Sequence, residues 1–267
     1  MLYHTFFAKT VADLLANAGD HAASKAIEAW FGRFMSLRWQ LPLPIVCCGL
    51  SVLYMGQIQR YRGVTFTAAG YVLSIVATFY VWHGVYCAIF IPTLAKTVAA
   101  HRMKTFWLAP AETSWIRNLS YAFNALCLSE AIVLSMCFAG VYNVRPWEAL
   151  PIAITSALWL VVGLCTILYA FVFPQYYLYR AITSEKMKQR EFLQNLVEAY
   201  RTRIQGSGED ERKHLLQLLD LTSHLAATRE TAIDMKAAAS FVTSLILPIL
   251  SFLAGHLKVF EFITRRP

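Results

Sequence analysis

Four stretches of this chain are almost all apolar over about 20 or more residues, and a fifth, which contains a proline, is of marginal length. An α-helix rises about 1.5 Å per residue, so roughly 20 apolar residues cross the hydrocarbon core of a bilayer, which is about 30 Å thick. The composition agrees, because 57% of the residues are hydrophobic and only 15% are charged. The sequence therefore predicts an all-α, polytopic membrane helix bundle. The stretches are residues 41–59, 64–95, 119–142, 150–173 and 237–255.

The second and fifth stretches differ from an ordinary span. Residues 64–95 are longer than a perpendicular crossing needs, so we expect a tilt, a bend near Gly84 or a part that leaves the bilayer. Residues 237–255 contain Pro248, which predicts a kink. The marginal length of residues 237–255 leaves two interpretations open. They form either a fifth span or a re-entrant or half-buried helix.

Residues 1–40 do not fit a secretory signal, because Lys9 and Asp13 interrupt any apolar core. Apolar residues recur at helical spacing before and after a break at Gly19 and Asp20. This pattern predicts an interfacial amphipathic segment that lies along the lipid headgroups, with helices packed on the rest of the protein as the alternative. The apolar positions are Phe7, Val11, Leu14, Leu15, Ala18 and Ala22, followed by Ile27, Trp30, Phe31 and Phe34.

Lysine and arginine residues are unevenly distributed between the spans, and this predicts the orientation. The N-terminal segment, the 96–117 loop and the tail after the fourth span hold most of them, so these parts belong in the cytoplasm. The two remaining loops hold Arg60, Arg62 and Arg145. The formal net charge of +8 follows from this distribution and from attraction to anionic lipid. We therefore expect the lipid bilayer as a partner, and no nucleic acid.

The tail at residues 176–236 predicts a cytoplasmic helical hairpin. Two apolar stripes at helical spacing flank the sequence QGSGED, in which Gly206 and Gly208 permit a reversal. We expect residues 183–236 to bind a cytoplasmic protein or ligand, and the stripes can also mate with neighbouring copies in a homo-oligomer. The stripes are Phe192, Leu193, Leu196, Val197, Tyr200 and Ile204, then Leu215, Leu218, Leu219, Thr222, Leu225 and Ala226.

These observations divide the chain into four consecutive parts. An interfacial segment is followed by a four-span transmembrane bundle, a cytoplasmic helical hairpin, and a closing apolar helix with the C-terminal tail. Their bounds are residues 1–40, 41–175, 176–236 and 237–267.

The sequence contains no recognisable catalytic or metal-binding constellation. The six cysteines all fall inside apolar stretches, without the Cys-x-x-Cys or His-rich spacing of a metal site, so they are interpreted as packing residues. A Gly-rich phosphate loop, a His-Glu-x-x-His helix and a serine triad are also missing. We therefore expect no enzyme activity, no metal and no cofactor.

Glu130 is a carboxylic acid inside the third apolar stretch. A charged side chain at the middle of a spanning helix costs roughly 2.5 to 3.5 kcal/mol, so Glu130 should face the bundle interior, pair with another group or be protonated. His83 lies near mid-depth in the second stretch, which runs in the opposite direction. The sequence thus predicts an intramembrane polar pair of Glu130 and His83, which either fixes helix register or belongs to a proton or ion relay.

Ser240, Ser244, Leu247 and Ser251 lie close to one face of the fifth apolar stretch. Repeated around a ring of subunits, such a stripe lines a pore, with Leu247 as a hydrophobic constriction. Small hydroxyl residues also permit close helix packing in membranes. The four residues are therefore candidate pore-lining residues, with helix packing as the alternative.

The last third of the chain resembles a known layout. The segment FPQYYLYRAITSEKMK, a helical pair containing LLQLLDLTSHLAAT and then DMKAAASFVTSLILPILSFL are similar to uncharacterised prokaryotic multi-pass membrane proteins. In those proteins four spans are followed by a cytoplasmic helical hairpin and a closing apolar helix with a proline near its centre. The resemblance implies this architecture in a prokaryotic cytoplasmic (inner) membrane, and it implies no activity.

Two functions remain as hypotheses from the sequence. The first is a homo-oligomeric membrane channel or pore-type effector, gated through its cytoplasmic hairpin by a partner or ligand, in prokaryotic defence or stress response. The hairpin is joined directly to the last helix, so movement of one moves the other. The alternative is a non-conducting membrane scaffold or accessory subunit of a larger complex. A secondary transporter comes third, because no inverted repeat or paired broken helices are visible.

Overall fold

The computed structural model describes residues 2–62, 67–142, 150–203, 209–233 and 235–264. Regular structure in these parts is helical, apart from an isolated bridge between Ala18 and Met103. Five of the described helical segments are long and apolar enough to cross a membrane. The protein is therefore an integral membrane protein with an all-α, multi-pass fold, which confirms the fold class predicted from the sequence.

The described helices follow one another in a simple order along the chain. They are α1 (Leu2–Ala16), α2 (His21–Met35), α3 (Leu37–Gln40), α4 (Pro42–Arg62), α5 (Ala68–Phe90), α6 (Thr93–Ala99), the 3-10 helix η1 (Pro110–Glu112), α7 (Ser114–Tyr142), α8 (Leu150–Arg203), α9 (Glu209–Ala227) and α10 (Met235–Thr264).

The five candidate spans coincide with the five apolar stretches of the sequence. The last of them, α10, continues through Pro248 for 30 residues and is long enough to span, which favours a fifth span over a re-entrant helix. A proline inside a spanning helix removes one backbone hydrogen bond, which neighbouring groups can compensate. The spans are Leu37–Gln57, Ala68–Ala99, Ser114–Met136, Ala157–Arg201 and Met235–Ala254.

The fourth apolar stretch stops at residue 173, before Pro174, but the helix that contains it does not end there. The fourth span and the first helix of the hairpin are one continuous helix, α8, of 54 residues. The missing N–H of Pro174 disturbs a single hydrogen bond, and a polar anchor follows at once, since Gln175 Nε2 donates to Ser120 Oγ at 2.9 Å. Local proline chemistry therefore does not interrupt α8.

The chain forms two compact units, each drawn from three separate stretches. The first unit contains the N-terminal helix, the loop before α7 with the start of α7, and the hairpin. The second unit contains most of the spanning residues. Their bounds are Met1–Ile27, Ala95–Ala122 and Pro174–Asp234 for the first unit, and Glu28–Leu94, Phe123–Phe173 and Met235–Pro267 for the second.

In the first unit, α1 packs its apolar stripe into the protein. Phe7, Val11 and Leu14 are buried against protein, and a position of α1 along the headgroups stays a prediction. After α1, the Gly19 N–H donates to the Arg102 carbonyl at 2.8 Å. A Cβ on Gly19 would lie 2.6 Å from that oxygen, so this close backbone approach requires glycine.

In the second unit, aromatic residues fix the end of α2 against the end of α5. Phe34 stacks with Trp30, at a centroid distance of 5.4 Å, and with Phe90, at 5.9 Å. Tyr86 stacks with Phe90 at 5.5 Å. The Trp30 indole also donates from Nε1 to Thr93 Oγ1 at 2.9 Å, so its polar atom is satisfied inside the cluster.

Candidate functional site

The candidate site is built on α7, the most enclosed of the five spans. Of the most apolar segment of α7, 56% is buried inside the protein, compared with 17% to 28% for the corresponding segments of the other spans. Polar side chains on α7 therefore meet protein more often than lipid. The buried polar residues along it are Ser120, Asn124, Glu130 and Ser135.

The carboxylate of Glu130 lies against the backbone of α5. The residue is 7% exposed, and a Cβ placed on Gly84 would lie 2.8 Å from Glu130 Oε1. Within the part of the chain that the structure describes, no hydrogen-bond donor or cation is within bonding distance of the carboxylate. An acid without a partner is unfavourable in such surroundings, because an apolar medium solvates charge poorly.

Small residues on both helices permit this close contact. Gly84, Cys87 and Ala88 are buried on α5, and Cys127 and Ala131 are fully buried on α7 on either side of Glu130. Small side chains three or four residues apart let two membrane helices approach closely. Because no side chain projects from Gly84, the carboxylate has room there.

His83 lies on the same turn of α5 as Gly84. Its ring stacks with Tyr86 at a centroid distance of 6.2 Å, and its Nε2 is 3.9 Å from Cys87 Sγ. The structure thus brings Glu130 to the turn that carries His83. A direct contact between these two side chains stays a prediction.

Two further polar residues of the second unit, Asn124 and Trp82, were not identified from the sequence. The side-chain nitrogen and oxygen of Asn124 on α7 are buried and have no partner among the described residues, and the same holds for Trp82 Nε1 on α5. The Trp82 ring packs against Trp159 with centroids 4.7 Å apart. Asn124 could have been found by the argument used for Glu130, because it is polar and lies inside an apolar stretch. Unpaired buried groups of this kind are typical contacts for water or ions.

The serine stripe on α10 faces protein at its centre. Ser244 is 0% exposed, and its hydroxyl donates to the Ser240 carbonyl at 2.9 Å. The Ser251 hydroxyl donates to the Leu247 carbonyl at 2.9 Å in the same way. These bonds satisfy both hydroxyls within α10, as in closely packed membrane helices. A pore-lining role for the four residues stays a prediction.

The helical pair of the first unit consists of the C-terminal part of α8 and all of α9. Leu193 and Leu225 are buried, as the two apolar stripes predict. The predicted stripes include too many residues, however, because Phe192 and Leu219 are exposed. Two helices that pack only on each other bury one narrow face each. Ile204, which the first stripe also included, lies outside the described residues.

Lys186 is the buried charge of this helical pair, at 8% exposure. Its Nζ donates to the Thr228 carbonyl at 2.8 Å and lies 3.7 Å from Glu230 Oε1. A cation suits this position because the last carbonyls of a helix lack backbone partners and carry partial negative charge. Sequence reasoning missed Lys186, although its spacing from the buried residues Ile182 and Leu193 places it on the inner face of α8.

Comparison with known proteins returned no match, whether to protein-family models, to curated proteins or to solved structures. The resemblance to prokaryotic multi-pass proteins therefore stays a prediction. Among the residues that the structure describes, no group of three His, Cys, Asp or Glu side chains could hold a metal ion. The geometry of the polar residues is thus the basis for assigning a function.

Proposed function

We propose that this protein is a homo-oligomeric membrane channel that passes protons or small cations through the interior of its spans, with Glu130 on the path. The observation that carries the proposal is the Glu130 carboxylate, which is buried on the most enclosed span and has no partner among the described residues. Ionisable groups inside membrane spans are rare, and they commonly belong to ion pathways and proton relays. A negative group in a pathway favours cations over anions.

In this proposal the helical pair of α8 and α9 is the gate. Residues 228–234 link α9 to α10, so a partner or ligand that moves α9 pulls on the last span. The distribution of Lys and Arg favours a cytoplasmic position for the pair, and in this proposal the membrane is a prokaryotic cytoplasmic membrane. A role in defence or stress response suits a pore that opens only on a signal. Leu216 and Leu219 are exposed on α9, and a neighbouring copy would cover them.

Flux measurements on purified protein in liposomes test the proposal. We expect wild-type protein to carry protons or potassium, and Glu130→Gln, which keeps the shape of the side chain, to lower the flux at least about tenfold. Glu191→Gln removes an exposed acid from α8 and is the matched control. Native mass spectrometry of the same preparation counts the subunits. Equal flux for Glu130→Gln and wild type, or a monomer that never conducts, would contradict the channel.

A non-conducting scaffold is the second candidate, and the position of Ser244 favours it. Its hydroxyl is completely buried within its own chain and bonds within α10, as expected where a serine only permits helices to pack. For a scaffold, Ser244→Leu should weaken folding or assembly, while Glu130→Gln should leave every measured property except stability unchanged. Pull-down of a larger complex that depends on the intact helical pair would support this function.

A further inference from the structure

A small groove lies between α8 and α9 in the first unit, beside the buried Lys186. Its volume is about 120 Å³, enough to hold several water molecules. Five of the eight residues that line it carry polar side chains. They are Thr183, Lys186, Arg190, Thr222 and Glu230.

The groove offers more hydrogen-bond donors than acceptors to a ligand. The Thr183 hydroxyl is buried and has no partner among the described residues, so it is available to a bound molecule. Lys186 and Arg190 add two cationic groups, whereas Glu230 is the single acid in the lining. The groove therefore has a surplus of positive charge and an unused hydroxyl.

We propose that this groove binds a small anion of phosphate type. A tetrahedral anion with several oxygens can accept hydrogen bonds from Lys186, Arg190 and Thr183 at the same time, and charge-assisted bonds of this kind are the strong ones. The volume suits inorganic phosphate or the phosphate group of a small ester. Leu225 supplies an apolar wall for a short organic group on the ester.

Glu230 acts as the internal counter-ion that the phosphate displaces. Its oxygen is 3.7 Å from Lys186 Nζ, and its side chain is 56% exposed, so it can turn into solvent without being buried elsewhere. Lys186 can keep its bond to the Thr228 carbonyl while it exchanges the carboxylate for phosphate. Binding thus frees Glu230 without undoing the cap of α9.

Displacement of Glu230 has a direct route to the last span. Glu230 lies in the 228–234 linker, and α10 begins at Met235. Phosphate would therefore act on the segment that leads into α10. This gating step rests on the proposed channel function, whereas phosphate binding does not.

Binding to the full-length protein is measured by isothermal titration with inorganic phosphate, in detergent free of phospholipid and with chloride at matched ionic strength as the blank. We expect saturable binding in the wild type. Lys186→Gln should weaken the affinity about tenfold. Glu230→Gln removes the competing carboxylate, so it should strengthen the affinity about threefold or more. Lys188→Gln, an exposed cation on the same helix, should stay within about twofold.

The opposite signs of the two substitutions separate binding from folding. If Lys186→Gln fails to fold, Glu230→Gln alone still decides, because a merely structural ion pair would give unchanged or weaker affinity. Absence of saturable wild-type binding below about 10 mM phosphate would overturn the proposal. An equal loss of affinity in Lys188→Gln and Lys186→Gln would also overturn it, since it would indicate general charge attraction.

Two arms identify the source of the phosphate and test gating. If a lipid headgroup is the ligand, nanodiscs containing phosphatidic acid should compete with free phosphate, whereas phosphatidylcholine nanodiscs should not. Competition by neither lipid identifies a soluble ligand, and either result is compatible with the groove as the site. Flux with and without phosphate then tests gating separately. Binding with the expected variant pattern but without any flux would preserve the site and contradict the channel.

Discussion

Lys186 and Glu130 are both more than nine-tenths buried, but among the described residues only Lys186 has a hydrogen-bond or ion-pair partner. Lys186 donates to a helix-terminal carbonyl and lies beside Glu230. Glu130 lies against the bare backbone at Gly84, without a donor among the described residues. Lys186 satisfies a carbonyl that would otherwise lack a donor, whereas burial of Glu130 lowers the stability of the fold.

Under the proposed channel function, the difference separates a charge that stabilises the fold, Lys186, from one on the ion path, Glu130. Substitution of one member of a buried charge pair destabilises the protein, because the other member is left buried without a partner. An unpaired buried charge can be removed with a gain in stability, so its presence needs another reason. Removal of the two charges should therefore change stability in opposite directions.

The largest expected effect is on Glu130. Glu130→Gln should reduce cation flux at least about tenfold and at the same time raise the stability of the protein by about 1 kcal/mol or more. The flux falls because the charged group on the path is gone, and the stability rises because no charge must be buried. Liposome flux and thermal unfolding in detergent measure the two effects on one preparation.

Flux and melting temperature together show whether Glu130 is an unpaired charge on the ion path or a paired charge that stabilises the fold. A lower melting temperature would indicate that the carboxylate has a stabilising partner and would break the contrast with Lys186. Glu191→Gln on the exposed face of α8 should change neither quantity.

The second largest effect is on Lys186. Lys186→Met keeps the aliphatic packing but strands the Thr228 carbonyl, and we expect a loss of about 1 to 3 kcal/mol. Hydrogen exchange should rise in residues 228–233, and the melting temperature should fall. Lys188→Met removes an exposed lysine and should stay within about 0.5 kcal/mol of wild type. Equal effects of the two substitutions would mean that Lys186 contributes nothing through its position.

The spans could be predicted from the sequence because a bilayer imposes length and hydropathy on a helix one segment at a time. Glu130 could be singled out for the same reason, since a charge in such a segment is visible without neighbours. Asn124 was visible in the same way and was overlooked. These features depend on local sequence alone.

The partners of these residues could not be predicted, because they depend on tertiary contacts. Nothing local relates Lys186 to Thr228, which is 42 residues away. The contact of Glu130 with Gly84 depends on the rotation of α5, which the local sequence does not determine. The continuation of α8 through Pro174 also opposes the local signal, which favours a helix end.

A smaller effect is expected at Gly84. Gly84→Ala places a methyl group 2.8 Å from Glu130 Oε1, so the flexible carboxylate must move while the acid itself is retained. We expect flux to fall severalfold, by less than in Glu130→Gln, with stability within about 1 kcal/mol of wild type. Gly49→Ala on α4 is the matched control, because nothing lies within 4 Å of its Cβ position. If both variants conduct equally well, the position of the carboxylate is unimportant.

The smallest effect concerns Glu230, the weaker partner of Lys186. Its side chain is 56% exposed and lies 3.7 Å from Nζ, so water already competes for the pair. Exposed ion pairs typically contribute about 0 to 1 kcal/mol. Glu230→Gln should therefore lower stability by no more than that, because the Thr228 carbonyl still accepts from Lys186. A melting experiment that compares Glu230→Gln, Lys186→Met and the double variant measures the coupling. If the loss in Glu230→Gln equals that in Lys186→Met, the carboxylate holds the lysine in place, and a phosphate could not displace it without unfolding the cap.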